Sequence, residues 1–173
     1  MSAHWTEEVN RLQPVLFVTQ YRADANLLTE QMRGFVSSVA SHWAQTAQAA
    51  MTVAKARSPR LVFVELEGLG FVRDLRRSGL PCREAPVIVL SSQPTLRAMR
   101  EAQNSGAHEF LVRPFSAYQL AKRLQAVADP RPWIETASYV GPDRRRFNSA
   151  ALLGPDRRHG AGPHDRAAVK AAS

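Results

Sequence analysis

The sequence predicts an α/β fold, with a doubly wound, five-stranded parallel sheet followed by a mostly irregular C-terminal tail. Short apolar runs alternate with helical patterns, which is the signature of repeated βα units. The 173 residues suffice for one domain and a short further segment. The alternation stops after Asp129. We therefore expect a body that contains the whole sheet and a tail outside it.

The strands are predicted from apolar runs that are too short for helices and too apolar for half-exposed strands. The first run is Val15-Leu16-Phe17-Val18. Three more, which are predicted as β3, β4 and β5, lie at 61–64, 86–90 and 110–112. A weaker strand is predicted near 36–41.

The helices are predicted from apolar residues at helical spacing, as at Leu28, Met32 and Phe35. Asp24 is expected to cap this first helix of the body. Pro94 is expected in the first turn of the helix after β4, and Gly106 is expected to end that helix. Similar patterns around positions 47–54, 69–75 and 120–127 predict the other three helices.

The chain divides into an N-terminal extension (1–12), the body (13–129) and a basic tail (130–173). The tail has five prolines, four glycines and no sustained apolar period, so it cannot build a core of its own. It is expected to be extended or disordered when alone. The formal net charge of the whole chain is +8, and the 44 residues of the tail contribute half of it.

Several classes of protein are disfavoured by the composition. No run approaches the ~20 apolar residues of a membrane helix, and Glu7 and Glu8 lie where a secretory signal would be apolar. A cytoplasmic location is therefore expected. Cys82 is the single cysteine, which excludes an internal disulfide and a multi-cysteine zinc site. None of the five histidines has zinc-like spacing, so we expect neither a metal nor a cofactor.

Two segments carry a resemblance to a known family. PVIVLSS, from position 86, and NSGAHEFLVRPFSAYQL, from position 104, resemble the β4 strand and the GAxxYLxKPF signature of receiver domains in two-component response regulators. The resemblance covers about 13–129 and implies the flavodoxin-like fold of the chemotaxis receiver. Such a domain is phosphorylated on an aspartate after β3. It uses an acidic pair to hold Mg²⁺, a hydroxyl after β4 and a lysine after β5.

The residues at these family positions are altered. The acidic pair falls on Thr19 and Gln20, the phosphoacceptor on Glu65, the hydroxyl on Ser91, the aromatic switch on Phe110 and the lysine on Arg113. The resemblance also implies a cis peptide bond before Pro114.

The altered residues disfavour phosphoryl transfer. Thr19 and Gln20 are neutral and cannot offset the dehydration of a divalent ion as two carboxylates do. Arg113 can pair bidentately with a carboxylate, so we expect an ion pair with Glu65 that imitates the phosphorylated state without turnover. The competing interpretation is that both residues are remnants of a lost site. We expect a pseudo-receiver that is not an enzyme.

Basic residues on two predicted helices form a candidate partner face, because receivers conventionally bind partners on the surface around β5. These residues are Arg97, Arg100, Lys122 and Arg123. An ordinary solvated surface is the alternative.

Other polar and aromatic residues of the body receive no functional role. Arg73, Arg76 and Arg77 are predicted to lie on a solvated surface. His108 is expected to be exposed, and Trp43 to pack in the core or at the sheet edge.

The tail contains a repeated unit, Gly-Pro-Asp-Arg-Arg, at 141–145 and again at 154–158. Arginine binds the guanine edge bidentately and pairs with phosphates, while aspartate accepts from guanine N1 and N2. Two units suit a two-fold ligand, so cyclic di-GMP is the favoured one. The tail also resembles the arginine-rich extension of receiver-like proteins that bind it. The candidate ligand-binding residues are Asp143, Arg144, Arg145, Arg146, Asp156, Arg157 and Arg158.

The sequence thus predicts a phosphorylation-independent signalling adaptor or sensor in a bacterial two-component-type pathway, with a protein partner. The tail would bind cyclic di-GMP or dock on a protein, and a solubilising role is also open. One alternative is an active receiver that is phosphorylated at an atypical site. Another is nucleic-acid binding through the tail, which its acidic residues disfavour. No membrane insertion is expected, and the sequence makes no prediction of oligomeric state.

Overall fold

The computed structural model describes residues 3–147. Its centre is a five-stranded parallel sheet with the order β2-β1-β3-β4-β5. The strands are β1 (Val15–Val18), β2 (Ser41–Ala44), β3 (Leu61–Glu65), β4 (Val87–Ser91) and β5 (Glu109–Val112). The predicted doubly wound parallel sheet is confirmed.

Six helices surround the sheet. They are α1 (Ala3–Arg11), α2 (Arg22–Arg33), α3 (Ala47–Arg57), α4 (Leu69–Arg77), α5 (Leu96–Asn104) and α6 (Ala117–Ala128). Short 3₁₀ turns lie at Leu66–Gly68, Pro81–Glu84 and Arg144–Arg146. No helix within 3–147 is both long and apolar enough to cross a membrane.

The core has two halves because neighbouring residues of each strand point to opposite faces of the sheet. Leu16 and Val18 belong to the half under α3, α4 and α5. Val15 and Phe17 belong to the other half, under α1, α2 and α6, where Phe17 stacks on Phe63 with ring centroids 5.4 Å apart. Because helices cover both faces of the sheet, the sequences of the inner strands are unbroken apolar runs.

The N-terminal segment is part of the domain rather than an extension. Residues 3–11 form α1, which packs against α6. Val9 is completely buried and Leu12 nearly so, both in the core half under α2. The predicted boundary at position 13 therefore cuts through packed structure.

The predicted position of β2 is wrong. Phe35 and Val36 donate backbone hydrogen bonds to Met32 O and bury their side chains at the end of α2. The strand begins five residues later than predicted, at Ser41. It is an edge strand whose residues are mostly exposed or half-buried, so it carries little of the apolar signal on which the prediction depended.

The helix ends also differ from the predictions. Asp24 lies in the first turn of α2 and does not cap it, since the capping position is Tyr21, whose side chain makes no capping bond. Helix α5 begins after Pro94, at Leu96, and Thr95 Oγ1 caps it by accepting from Ala98 N at 3.1 Å. The helix ends at Asn104, and Gly106 follows with a φ of 92°, a conformation that favours glycine.

The described part of the tail, 130–147, is folded, in contrast to the expectation of an extended segment. It forms an antiparallel hairpin of β6 (Trp133–Glu135) and β7 (Val140–Pro142), followed by the turn Arg144–Arg146. Strand β7 contacts α4, and Phe147 packs against the core. Tyr139 is buried and donates to Pro142 O at 2.7 Å. The domain therefore continues past position 129.

Two glycines allow the hairpin to lie close to the body. A Cβ on Gly141 would lie 2.8 Å from the Cα of Gly106 and 2.7 Å from Tyr139 Oη. A Cβ on Gly106 would lie 2.9 Å from Val140 O. Both positions are too crowded for a real Cβ, so a side chain at either one would push the hairpin away from the body.

Candidate functional site

The residues at the family's functional positions meet at the carboxyl edge of the sheet. Thr19 and Gln20 follow β1, Glu65 ends β3, Ser91 ends β4 and Arg113 follows β5. Ligand sites of open α/β sheets lie at this edge because parallel strands all end there.

Glu65 and Arg113 form the predicted ion pair. Arg113 Nη1 donates to Glu65 Oε1 at 3.0 Å, and Gln20 N donates to Glu65 Oε2 at 2.9 Å. Arg113 Nη1 also lies 3.6 Å from Asp24 Oδ2. The Arg113–Pro114 peptide bond is cis, as predicted. Both oxygens of the glutamate are therefore occupied by groups of the protein, and its charge is balanced.

Thr19 is held by the edge strand. Its hydroxyl donates to Tyr21 O at 3.0 Å and accepts from Trp43 Nε1, which lies 3.2 Å from the hydroxyl and 3.1 Å from Thr19 O. Trp43 thus closes one side of the site, a role that the sequence analysis missed.

Ser91 and Phe110 are turned away from the ion pair. Ser91 Oγ accepts from Gln93 N at 3.0 Å and donates to Gln93 O at 3.3 Å, so it stabilises its own loop. Phe110 is buried in the core half under α3, α4 and α5. The structure therefore brings Thr19, Gln20, Glu65 and Arg113 together around one carboxylate.

A cleft of about 450 Å³ opens beside the ion pair, between the ends of β1, β2 and β3. Its polar lining is mostly neutral and includes Gln20, Gln45 and Thr46. Glu65 and Glu67 are its two carboxylates. The residues described contain no group of three histidine, cysteine, aspartate or glutamate side chains that could hold a metal ion.

Mg²⁺, which the family implies, does not fit this donor set. The ion requires several oxygen ligands in near-octahedral geometry and prefers carboxylates. Thr19 offers a neutral hydroxyl that is already engaged, and Glu65 has both oxygens occupied.

The four candidate partner-face residues do not form one free cationic surface. Arg97 pairs with Glu101 at 3.0 Å, and the Lys122 ammonium lies 4.8 Å from the centre of the Tyr118 ring. Arg123 is mostly buried and pairs with Glu109. Arg100 is exposed, and no side-chain partner is found for it within 3–147.

The first Gly-Pro-Asp-Arg-Arg unit is built into the fold. Asp143 Oδ1 accepts from Arg145 N at 3.0 Å, and Arg144 Nη1 donates to Asn104 Oδ1 at 2.9 Å. The Arg144 guanidinium also lies 4.4 Å from the centre of the Tyr139 ring. Arg145 and Arg146 are exposed. The second unit, with Asp156, Arg157 and Arg158, lies outside the described residues.

Arg76 is buried, which contradicts the prediction of a solvated side chain. Its guanidinium donates to Gly106 O and Ala85 O at 2.9 Å each, and also to Arg83 O. A fourth bond joins Nη2 to Nδ1 of His108 at 3.3 Å. Burial lowers the pKa of Arg76 to about 9, so the side chain stays charged at neutral pH.

His108 is also buried, whereas the sequence analysis expected it to be exposed. Its Nδ1 accepts from Val87 N at 3.2 Å as well as from Arg76, which requires the neutral ring with its proton on Nε2. Burial, followed by the charges of Arg76 and Arg131, lowers the pKa of His108 well below its ordinary value of 6.5.

We expect the stability of the protein to fall as the pH decreases below about 6.5. Below this pH the unfolded chain binds a proton at His108 and the folded protein does not. The free energy of unfolding therefore falls by up to about 1.4 kcal/mol per pH unit. Urea unfolding at several pH values measures the slope. His108→Asn keeps a hydrogen-bond acceptor near the position of Nδ1 but does not titrate. The free energy of unfolding of this variant should therefore depend less on pH. An unchanged slope in that variant would assign the pH dependence to other groups.

Comparisons with known proteins agree with the fold. The chain is similar to the chemotaxis protein CheY4 of Vibrio cholerae, with a TM-score of 0.58 and 20% identity, over 65% of this chain and 96% of that one. A putative response regulator from Chloroflexus aurantiacus gives a TM-score of 0.60 at 18% identity, over 66% of this chain and 95% of that one. The receiver domain of NtrX from Brucella abortus gives a TM-score of 0.58 at 21% identity, over 68% of this chain and 100% of that one.

A curated protein also matches part of the sequence. The KDP operon transcriptional regulatory protein KdpE of Escherichia coli is 33% identical over 87 residues, which are 47% of this chain and 37% of that protein. This chain thus covers well under half of that regulator. No family model matches the chain. The body of this chain has the fold of these receiver-type proteins, with the further helix α1 and the hairpin attached to it.

Proposed function

We propose that this receiver domain works without phosphorylation, as a non-enzymatic signalling adaptor or sensor. The observation that carries the proposal is the occupation of both Glu65 oxygens, one by Arg113 and the other by the backbone of Gln20. A carboxylate in this state is a poor nucleophile, and it places a permanent charge where a phosphoryl group would lie. The absence of a fitting Mg²⁺ donor set among the residues described supports the same conclusion.

Acetyl phosphate with Mg²⁺ tests this proposal directly. Intact mass spectrometry should find the full chain unmodified, while an active receiver in the same tube becomes phosphorylated. The matched variant restores the family residues through Thr19→Asp, Gln20→Asp, Glu65→Asp and Arg113→Lys, and should gain a labile phosphoryl group. Modification of the unaltered chain at Glu65 would instead establish the alternative, a receiver with an atypical phosphoacceptor.

The arginine-rich segment is proposed to bind the signal or the protein partner, and cyclic di-GMP is the ligand that its sequence favours. Arg145 of the first unit and the adjacent Arg146 are exposed, and within 3–147 their side chains make no hydrogen bond or ion pair. Calorimetric titration of cyclic di-GMP into the full chain, and into the variant Arg157→Gln/Arg158→Gln, tests the ligand. Absence of heat with the full chain would leave protein docking as the proposed role.

A further inference from the structure

A cleft lined by arginines lies on the side of the sheet opposite α2. The cleft of about 120 Å³ is formed where α4, the end of α5 and the tip of the hairpin meet. Its polar lining consists of Arg73, Arg76, Arg77, Asn104, Ser105 and Ser138. Within 3–147 no carboxylate lines it, and Asp74, the acidic residue of α4, is not among the lining residues. The charged residues that line the cleft are therefore all arginines.

Two of these arginines are available to a ligand. Arg73 and Arg77 are exposed and lie one helical turn apart on the same side of α4. Within residues 3–147 neither side chain has a hydrogen-bond or ion-pair partner. Arg76 lies behind them, fixed to backbone carbonyls, and adds its buried charge to the same cleft.

More arginines surround the cleft. The turn Arg144–Arg146 is attached to the end of α5, because Arg144 Nη1 donates to Asn104 and Arg144 O accepts from Gln103 Nε2 at 2.9 Å. Arg100 lies one helical turn before Gln103, on the same face of α5. Arg145 follows Arg144 and is exposed. The positive surface thus extends from α4 across α5 to the turn.

The cleft admits a phosphate group but is too small for a nucleoside. The nearby rings are also occupied, since Arg144 lies over Tyr139 and Trp133 lies near both Arg76 and Arg83. A ligand recognised here would therefore bind through phosphates and not by stacking of its bases. Arginine forks match phosphate oxygens, and a row of them matches a chain of phosphates.

We propose that the face formed by α4, the end of α5 and the turn Arg144–Arg146 binds the sugar-phosphate backbone of duplex DNA, with one phosphate in the cleft at Arg73 and Arg77. The binding is independent of base sequence and of the state of Glu65. It places the contact on the folded domain, whereas the sequence alone indicated only the basic tail.

The test is fluorescence anisotropy of a labelled duplex of about 16 base pairs with the full chain, from about 50 to 200 mM salt. We expect affinity in the micromolar range at the lowest salt. Arg73→Gln/Arg77→Gln should weaken binding about tenfold and reduce the salt slope by about 0.9, the value for the one phosphate that is no longer neutralised. The matched control, Arg57→Gln/Arg60→Gln, removes the same charge from exposed arginines elsewhere on the domain and should change binding less than about threefold.

Three results would overturn the proposal. Equal effects of the two double variants would show that net charge alone attracts the DNA. Binding that depends on Arg157 and Arg158 but not on Arg73 and Arg77 would place the contact on the tail. Binding of cyclic di-GMP, but not of the duplex, through Arg73 and Arg77 would identify a small ligand. None of these results bears on the phosphorylation test, so the two proposals fail separately.

Discussion

Replacement of Arg76 by leucine is expected to lower the free energy of unfolding by about 3 kcal/mol, because three buried carbonyls would lose their donor. These carbonyls belong to Arg83 and Ala85, in the segment before β4, and to Gly106, in the segment before β5, and His108 Nδ1 loses a partner as well. Removal of the buried guanidinium also removes its desolvation cost. The loss of stability from the unpaired carbonyl oxygens exceeds that gain, because each buried acceptor without a donor costs about 1–3 kcal/mol.

Urea unfolding measures this loss, and the adjacent residue provides the control. Arg77→Leu changes the same kind of side chain on the same helix, but at an exposed position, so its effect should stay within about 0.5 kcal/mol. Arg76→Lys should recover only part of the stability, since an ammonium has three donors on a flexible stem and cannot reach all four acceptors. Similar midpoints for the wild type and Arg76→Leu would contradict a structural role for the guanidinium.

Arg131→Ala is expected to cost about 3 kcal/mol, because it breaks a buried ion pair. Glu109 is completely buried in β5, and Arg131 is almost completely buried against it. Arg131 also donates to His108 O at 2.8 Å and to Ala126 O at 3.1 Å, so it connects β5 to the end of α6. Burial raises the pKa of Glu109, and its bonds to Arg131 and Arg123 counteract that rise.

An exposed pair is the control for this prediction. Arg97→Ala removes the partner of Glu101, and since Arg97 is 89% exposed the loss should be about 0.5 kcal/mol or less. In a Glu109→Gln background, where the loss of Arg131 deprives no buried carboxylate of its partner, Arg131→Ala should cost at least about 1 kcal/mol less than in the wild type. The same loss in both backgrounds would mean that Arg131 acts through packing alone.

The buried strands could be predicted from a local rule in the sequence, and the ion pair from the resemblance to receiver domains. Unbroken apolar runs identify strands covered on both faces. Glu65 and Arg113 were expected to meet because the resemblance to receiver domains places both at the phosphorylation site, where an arginine can pair with a carboxylate. The contact of Trp43 with Thr19 could not be predicted, since it depends on the position of the edge strand β2.

Arg76 was missed although its spacing carried a signal. It follows Val72 by four residues, so it lies on the buried side of α4. The prediction of a solvated Arg76 followed the residue type and not the helical position, because arginine is rarely buried completely. Glu109 shows the same conflict, as a charged residue within an otherwise apolar strand. At both positions a charged side chain occupies a core site because it binds groups far away in sequence, which periodicity does not reveal.

The hairpin was missed because its strands have three residues each and its support comes from contacts with the body. Tyr139 is bonded within its own turn and stacks with Arg144. Neither contact leaves a period in the sequence. Proline and arginine content, which usually indicates disorder, here belongs to a segment whose side chains bind α4, α5 and each other.

The close approach of Gly106 and Gly141 has a consequence for reading related sequences. The contact requires glycine at both positions. A side chain at either one would separate the hairpin from the body. A receiver sequence with glycine at both positions should therefore possess a docked hairpin. In a chain where a larger residue precedes Pro-Asp-Arg-Arg, this segment should instead belong to a free tail. One pair of residues thus distinguishes the two architectures without a structure.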